Sequence, residues 1–208
     1  MVTQYNEIAG RSVERLAALS DGLFAVAMTL LVLDLRVPMS EAVHSDADLW
    51  RALVVLSPQL IVYLMSFLTL GIFWMGQQAQ LNQLVRSDRN LSWIYLAFLF
   101  AVTLMPFSTT LMAGFIAYRV ALLTYWANVL LLGVIMFASW RYAERAGLVK
   151  DDAGIAGRLV ERRIVIAQAL YGFGALLCVV NTYWSIGFIV LVQLNYAVAP
   201  RVGWLQRL

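Results

Sequence analysis

The stretch IVIAQALYGFGALLCVVNTYWSIGFIVLVQLNYAVAP, residues 164–200, carries no charged residue. As one helix it would measure ~55 Å at ~1.5 Å per residue, far beyond a ~30 Å hydrocarbon core. It therefore reads as two spanning helices, joined near Asn181-Thr182-Tyr183-Trp184, polar and interfacial residue types. Three more runs, 52–75, 91–118 and 120–140, are also free of charge. Each is long enough for one crossing, which takes roughly 20 apolar residues. Leu16–Leu35 is apolar except for Ser20, Asp21, Thr29 and Asp34. The expected spans are then about 14–36, 51–76, 91–115, 119–141, 162–181 and 184–201, in one domain covering 1–208.

Composition agrees. Of 208 residues, 62% are hydrophobic and 13% charged, more apolar than a soluble core can bury. The fold class is an all-α integral membrane protein with six transmembrane helices. If the first run were instead a cleaved signal peptide, Arg11 and Arg15 would form its basic region. Asp21 fits a signal poorly, and no small-x-small cleavage site follows promptly. With six spans and the N-terminus inside, 12 of the 15 basic residues fall on the cytoplasmic side. Only Arg36, Arg51 and Arg119 fall outside, so both termini are expected in the cytoplasm. The net charge of +3 thus reads as topology, not as a nucleic-acid surface. Residues 141–163 mix both signs with Gly147, Gly154 and Gly157, and read as a solvated linker with helix extensions. The lone Cys178 rules out a disulfide within the chain. The lone His44 leaves no histidine-based metal site within one chain, and no cofactor is expected.

Asp21 is the least expected residue. A carboxylate at the centre of a span costs about 2.5–3.5 kcal/mol on insertion scales, less near an end. Arg15 lies about 240° away around the helix and does not face it, so the partner is expected on another helix or subunit. Asp21 is either a packing anchor or a gating or ion-path residue. On a wheel of 100° per residue, Gly22, Val26, Thr29 and Leu33 share one face, with Leu30 beside them. By spacing alone this stripe is a lipid-facing or packed surface.

The segment Arg15-Leu16-Ala17-Ala18-Leu19-Ser20-Asp21 resembles the Arg-x-x-x-Phe-Ser-Asp signature of the lysosomal/endosomal potassium channel family, the transmembrane protein 175 family. Leu19 stands where that family has phenylalanine. The similarity continues through Gly22–Leu35. Phe73-Trp74-Met75-Gly76-Gln77-Gln78 and Pro106-Phe107-Ser108-Thr109 resemble further family tracts. Gln77 and Gln78 stand where histidine is common, and glutamine carries no proton charge. The resemblance runs from about 11 to about 115. The last three spans match in number and spacing alone.

The resemblance implies a homotetramer whose first helices line a central pore. By position, Val26 falls at the apolar constriction and Thr29 at a hydroxyl layer, where potassium would bind. Leu30 and Leu33 continue the lining outward, and Asp34 sits at the outer vestibule, with Glu41, Asp46 and Asp48 in the loop beyond. Arg15, Ser20, Asp21, Trp74 and Gln77 would form a polar cluster at the inner end of the pore helix. The implied activity is passive conduction of potassium in weak preference to sodium, through the inner (plasma) membrane. The implied partners are potassium ions, the lipid bilayer and three further copies of the chain. There is no Thr-Val-Gly-Tyr-Gly filter loop.

Three other functions compete. A secondary transporter of a small solute or ion draws support from Pro106, which can break the third span. No duplicated half is visible in the chain. An enzyme lacks a catalytic set. A non-conducting assembly factor is separated only by a flux assay.

Overall fold

The computed structural model describes residues 12–39, 43–150 and 153–198. Among these, all regular structure is helical, apart from one isolated bridge between Leu84 and Val149. The helices are α1 (Val13–Leu30), α2 (Asp46–Leu81), α3 (Arg89–Thr103), α4 (Met105–Gly114), α5 (Arg119–Arg145), α6 (Ala153–Leu176) and α7 (Thr182–Val198). Short 3-10 turns, Leu31–Asp34 and Leu177–Val179, extend α1 and α6. Five segments are long and apolar enough to cross a bilayer: Val13–Leu33, Asp46–Leu81, Arg89–Gly114, Arg119–Arg145 and Leu159–Val179. α7, the expected sixth span, has 17 described residues and no charge. Its expected last residues, 199–201, lie outside the described residues, as do Arg11, Glu41, Arg201 and Arg207.

Each start has a local cause. Ser12 Oγ accepts the Arg15 N–H of α1, Ser45 Oγ the Asp48 N–H of α2, and Asp88 Oδ1 the Leu91 N–H of α3. Each side chain satisfies one of the N–H groups that a first turn leaves unpaired. Within α2, Pro58 has no N–H for the Val54 carbonyl. The Ser57 hydroxyl donates to that carbonyl at 2.7 Å, and the helix continues unbroken.

The third span is two helices. Pro106 sits in the first turn of α4, and the chain breaks at Leu104. The break frees backbone groups in an apolar interior, where an unpaired group costs several kcal/mol. Asn128 of α5 covers it. Oriented to pair both ends of its amide, it donates to Ala101 O at 3.1 Å and accepts from Met105 N and Ser108 Oγ at 3.2 Å.

In lipid the hydrophobic effect does not hold helices together. Close packing and interhelical hydrogen bonds do. α5 is central, packing on α3, α4 and α6. Phe24 of α1 and Phe73 of α2 both meet Phe98 of α3, with centroids 6.1 and 6.3 Å away. Polar pairs stitch the same interior. Thr109 donates to Ser66 at 2.7 Å, Tyr125 OH lies 2.8 Å from Thr69 Oγ1, and Gln193 donates to Thr69 at 2.6 Å.

The expected solvated linker is more ordered than a free loop. α5 runs to Arg145 and turns at Gly147, whose φ of +63° suits glycine. Val85 N then donates to Leu148 O, and Lys150 N to Gln83 O, both at 2.9 Å. The chain after α2 and the chain after α5 are thus joined by backbone bonds. Tyr142 donates to Asp88 Oδ2 at 2.7 Å beside them.

Candidate functional site

α1 has two unlike faces. Leu16, Ser20, Phe24, Ala27 and Leu31 recur at spacings of three and four, and all are buried. Such spacing places them along one side of a helix. The other side is bare in the single chain. Val26 is 53% exposed, Leu30 43% and Leu33 73%, with Gly22, Ala25 and Thr29 also exposed. Thr29 Oγ1 donates back to its own helix, 2.8 Å from Val26 O and 3.0 Å from Ala25 O. Its proton is therefore spent on the backbone, and oxygen lone pairs are what it offers outward. Asp34 closes the 3-10 turn that ends α1. Beyond it His44 and Asp46 are exposed, and Asp48 faces Arg51 at 3.4 Å.

At the other end of α1, side chains of α2 grip its polar residues. Trp74 Nε1 donates to Asp21 Oδ1 at 2.7 Å, and Gln78 Nε2 donates to the same oxygen at 2.8 Å. Gln77 Nε2 donates to Ser20 Oγ at 2.9 Å, while Ser20 donates to Leu16 O at 2.8 Å. Positions 74, 77 and 78 are three and four residues apart, so one face of α2 presents all three donors. The carboxylate accepts from an indole and an amide, neither of which carries charge. These are charge-assisted bonds at the short end of their range.

The structure thus brings together Ser20, Asp21, Trp74 and Gln77, and adds Gln78. Arg15 is not among them. It is exposed, and its side chain makes no ion pair with the described residues; its backbone N–H donates to Ser12 Oγ. Six residues along a helix is too far around the cylinder for Arg15 to reach Asp21. Sequence reasoning missed Gln78 as a donor, although its spacing from Trp74 was a usable signal. It also missed Asn128, since one asparagine in an apolar run does not say what it faces.

Comparisons with known proteins bear on this arrangement. Residues 15–106 match the model of the family described as endosomal/lysosomal potassium channel TMEM175. That range contains α1 from Arg15 onward, its bare face and the α2 donors. A potassium channel of Streptomyces collinus is 31% identical over 163 residues, covering 76% of this chain and 78% of that protein. The human endosomal/lysosomal proton channel TMEM175 is 25% identical over 195 residues, which cover 91% of this chain but 38% of the human one. The crystal structure of a lysosomal potassium-selective channel TMEM175 homologue from Chamaesiphon minutus superposes with a TM-score of 0.77. It covers 91% of this chain and 98% of that one, at 24% identity, and so bears on the fold. On the family match at α1 and α2, and on the Streptomyces relative matched over most of its length, the chain belongs to the TMEM175 channel family.

Proposed function

We propose that this chain is one subunit of a homotetrameric cation channel that passes potassium in preference to sodium. The observation that carries the proposal is the bare face of α1, opposite a buried face on which Phe24 meets Phe98 and Ser20 is held by Gln77, with Asp21 held by Trp74 and Gln78 between the two. One such face encloses nothing; four around a symmetry axis enclose a path.

In this arrangement four Val26 side chains form the narrow apolar ring. A ring of that kind stops hydrated ions by shedding water, and it conducts when the helices part. Four Thr29 oxygens, their protons committed to backbone carbonyls, supply ligands in place of part of a hydration shell. Potassium loses water at less cost than sodium, so it is favoured modestly. Leu30 and Leu33 line the path outward to Asp34, where negative charge concentrates cations. Asp21, held by Trp74 and Gln78, ties the pore helix to the rest of its subunit, so a movement of α2 is passed to the constriction. The basic residues orient the chain with both termini in the cytoplasm, in the inner membrane of a bacterium.

The test is ion flux through purified protein in liposomes, comparing wild type with Val26→Ala and Thr29→Val. Passive flux favouring potassium is expected. Val26→Ala should raise it, and Thr29→Val should lower the preference over sodium. Flux altered by neither substitution would discard these pore residues. A secondary transporter is the second reading, favoured by the broken third span at Leu104. It is separated by solute uptake that needs an ion gradient.

A further inference from the structure

We infer that each subunit carries a site for an anionic phospholipid on the side away from the pore face, at the ends of α2, α5, α6 and α7. A cavity of about 310 Å³ lies there, within the ~300–1,000 Å³ typical of small-molecule sites. Phe73, Met136 and Tyr171 form its floor, and all three are buried. Met75 and Leu159 stand at its edge and are 66% and 62% exposed, so the cavity opens sideways to the bilayer. An acyl chain fits such a lining.

Arg163 and Tyr196 sit together, while Gln168 Oε1 and the Tyr171 hydroxyl, the other polar groups of the lining, are buried with no hydrogen-bond partner among the described residues. Arg163 is the single charged residue of the lining among the described residues. It has no carboxylate partner among the described residues, and its guanidinium lies 5.4 Å from the Tyr196 ring centroid. The Tyr196 hydroxyl is enclosed and has no hydrogen-bond partner there. An unpaired cation beside an unpaired donor calls for an anion rich in acceptor oxygens, and a phosphate is one. Glu161, the nearest acid in sequence, is already bound to Arg141 at 3.2 Å. Arg163 closes the mixed-charge stretch 141–163, on the side that the charge bias assigns to the cytoplasm. A tail in the apolar floor and a phosphate on Arg163 describe a phospholipid of the inner leaflet.

The test is native mass spectrometry of the assembled full-length protein in detergent, titrated with phosphatidylglycerol or with phosphatidylcholine. Wild type should retain phosphatidylglycerol more strongly. Arg163→Gln should weaken retention about fivefold, which is the ~1 kcal/mol that one basic side chain contributes near an anionic surface. Ala167→Trp, which fills the cavity, should abolish retention; Ala79→Trp at the rim replaces it if that variant does not assemble. Retention equal to wild type in both Arg163→Gln and the filled variant, or equal retention of the two lipids by wild type, would overturn the proposal. Photoreactive benzoylphenylalanine in place of Leu159 should give a lipid adduct. A covalent subunit dimer would show that a neighbouring copy fills the cavity instead, and would also overturn it.

Discussion

Replacing Trp74 by Phe keeps an aromatic ring at the site and removes one N–H. That N–H is one of two donors on Asp21 Oδ1, at 2.7 Å. A hydrogen bond to a charged group contributes about 1.5–3 kcal/mol. Interhelical bonds within bilayers average about 0.6 and reach about 1.7 kcal/mol. Trp74 is 40% exposed and Asp21 is exposed in the single chain, which places this bond near 1 kcal/mol. Trp74→Phe alone would also lose packing, so the single variant does not isolate the bond. A double-mutant cycle with Asp21→Ala does, because packing loss occurs in both backgrounds and cancels. The expected coupling is about 1 kcal/mol. The same cycle with Gln78→Leu should give a similar value, since that donor sits at 2.8 Å on the same oxygen. Removing both donors should cost more than the two couplings summed, because either donor strengthens when the other is removed. Reversible unfolding in mixed micelles, followed by far-ultraviolet circular dichroism, reads these energies without depending on tryptophan emission. Coupling below about 0.3 kcal/mol in both cycles would refute the clamp, and with it the proposed transmission from α2 to the pore helix.

Three other variants test the frame. Asn128→Leu keeps the volume but strips the amide from Ala101 O and Met105 N at the α3–α4 break. It should destabilise by about 2 kcal/mol in the same unfolding assay. Gly157→Ala places a Cβ 2.6 Å from Trp140 Cζ2, and that indole is buried. A loss of about 1–3 kcal/mol is expected, and a thermal melt beside wild type reads it. Arg141→Gln breaks the pair with Glu161, whose arginine side chain is 45% exposed. Its melting curve should overlay that of wild type, because an exposed pair contributes less than about 1 kcal/mol.

What was legible in the sequence follows from what each signal encodes. Absence of charge over 20 or more residues is a property of one segment, so the candidate spans after the first could be read from the runs alone, whereas the first had to be read through Asp21. Helix ends could not. α2 continues past the apolar run to Leu81 because its glutamines have partners: Gln77 has Ser20, Gln78 has Asp21, and Gln80 has Met136 O and Ser139. In the sequence those amides look like the start of a solvated loop. Pro106 marked a weak point in the third span, but the break falls at Leu104, and its cover comes from Asn128, 24 residues on. Arg15 shows the opposite limit. It lies in the matched segment beside Ser20 and Asp21, and helical geometry still turns it away from both.

The division of α1 is what connects these pieces. Ser20 and Asp21 are adjacent, so they point about 100° apart. One is buried against Gln77, and the other reaches Trp74 and Gln78 from nearer the bare face. Two bonds at different angles around the axis fix a helix against rotation, which a single contact cannot do. Rotation is the movement that would spoil a pore, since one residue of slip carries Val26 and Thr29 off the axis together. The cost of placing a carboxylate near the membrane is thus matched by a need that apolar packing meets poorly. Phe24 sets how close α1 lies to α2 and α3; Asp21 sets which way it faces. On this view Asp21→Leu, which packs but cannot accept a hydrogen bond, should leave the helices assembled and still disturb conduction. Normal flux in that variant would mean that packing alone sets the register of α1.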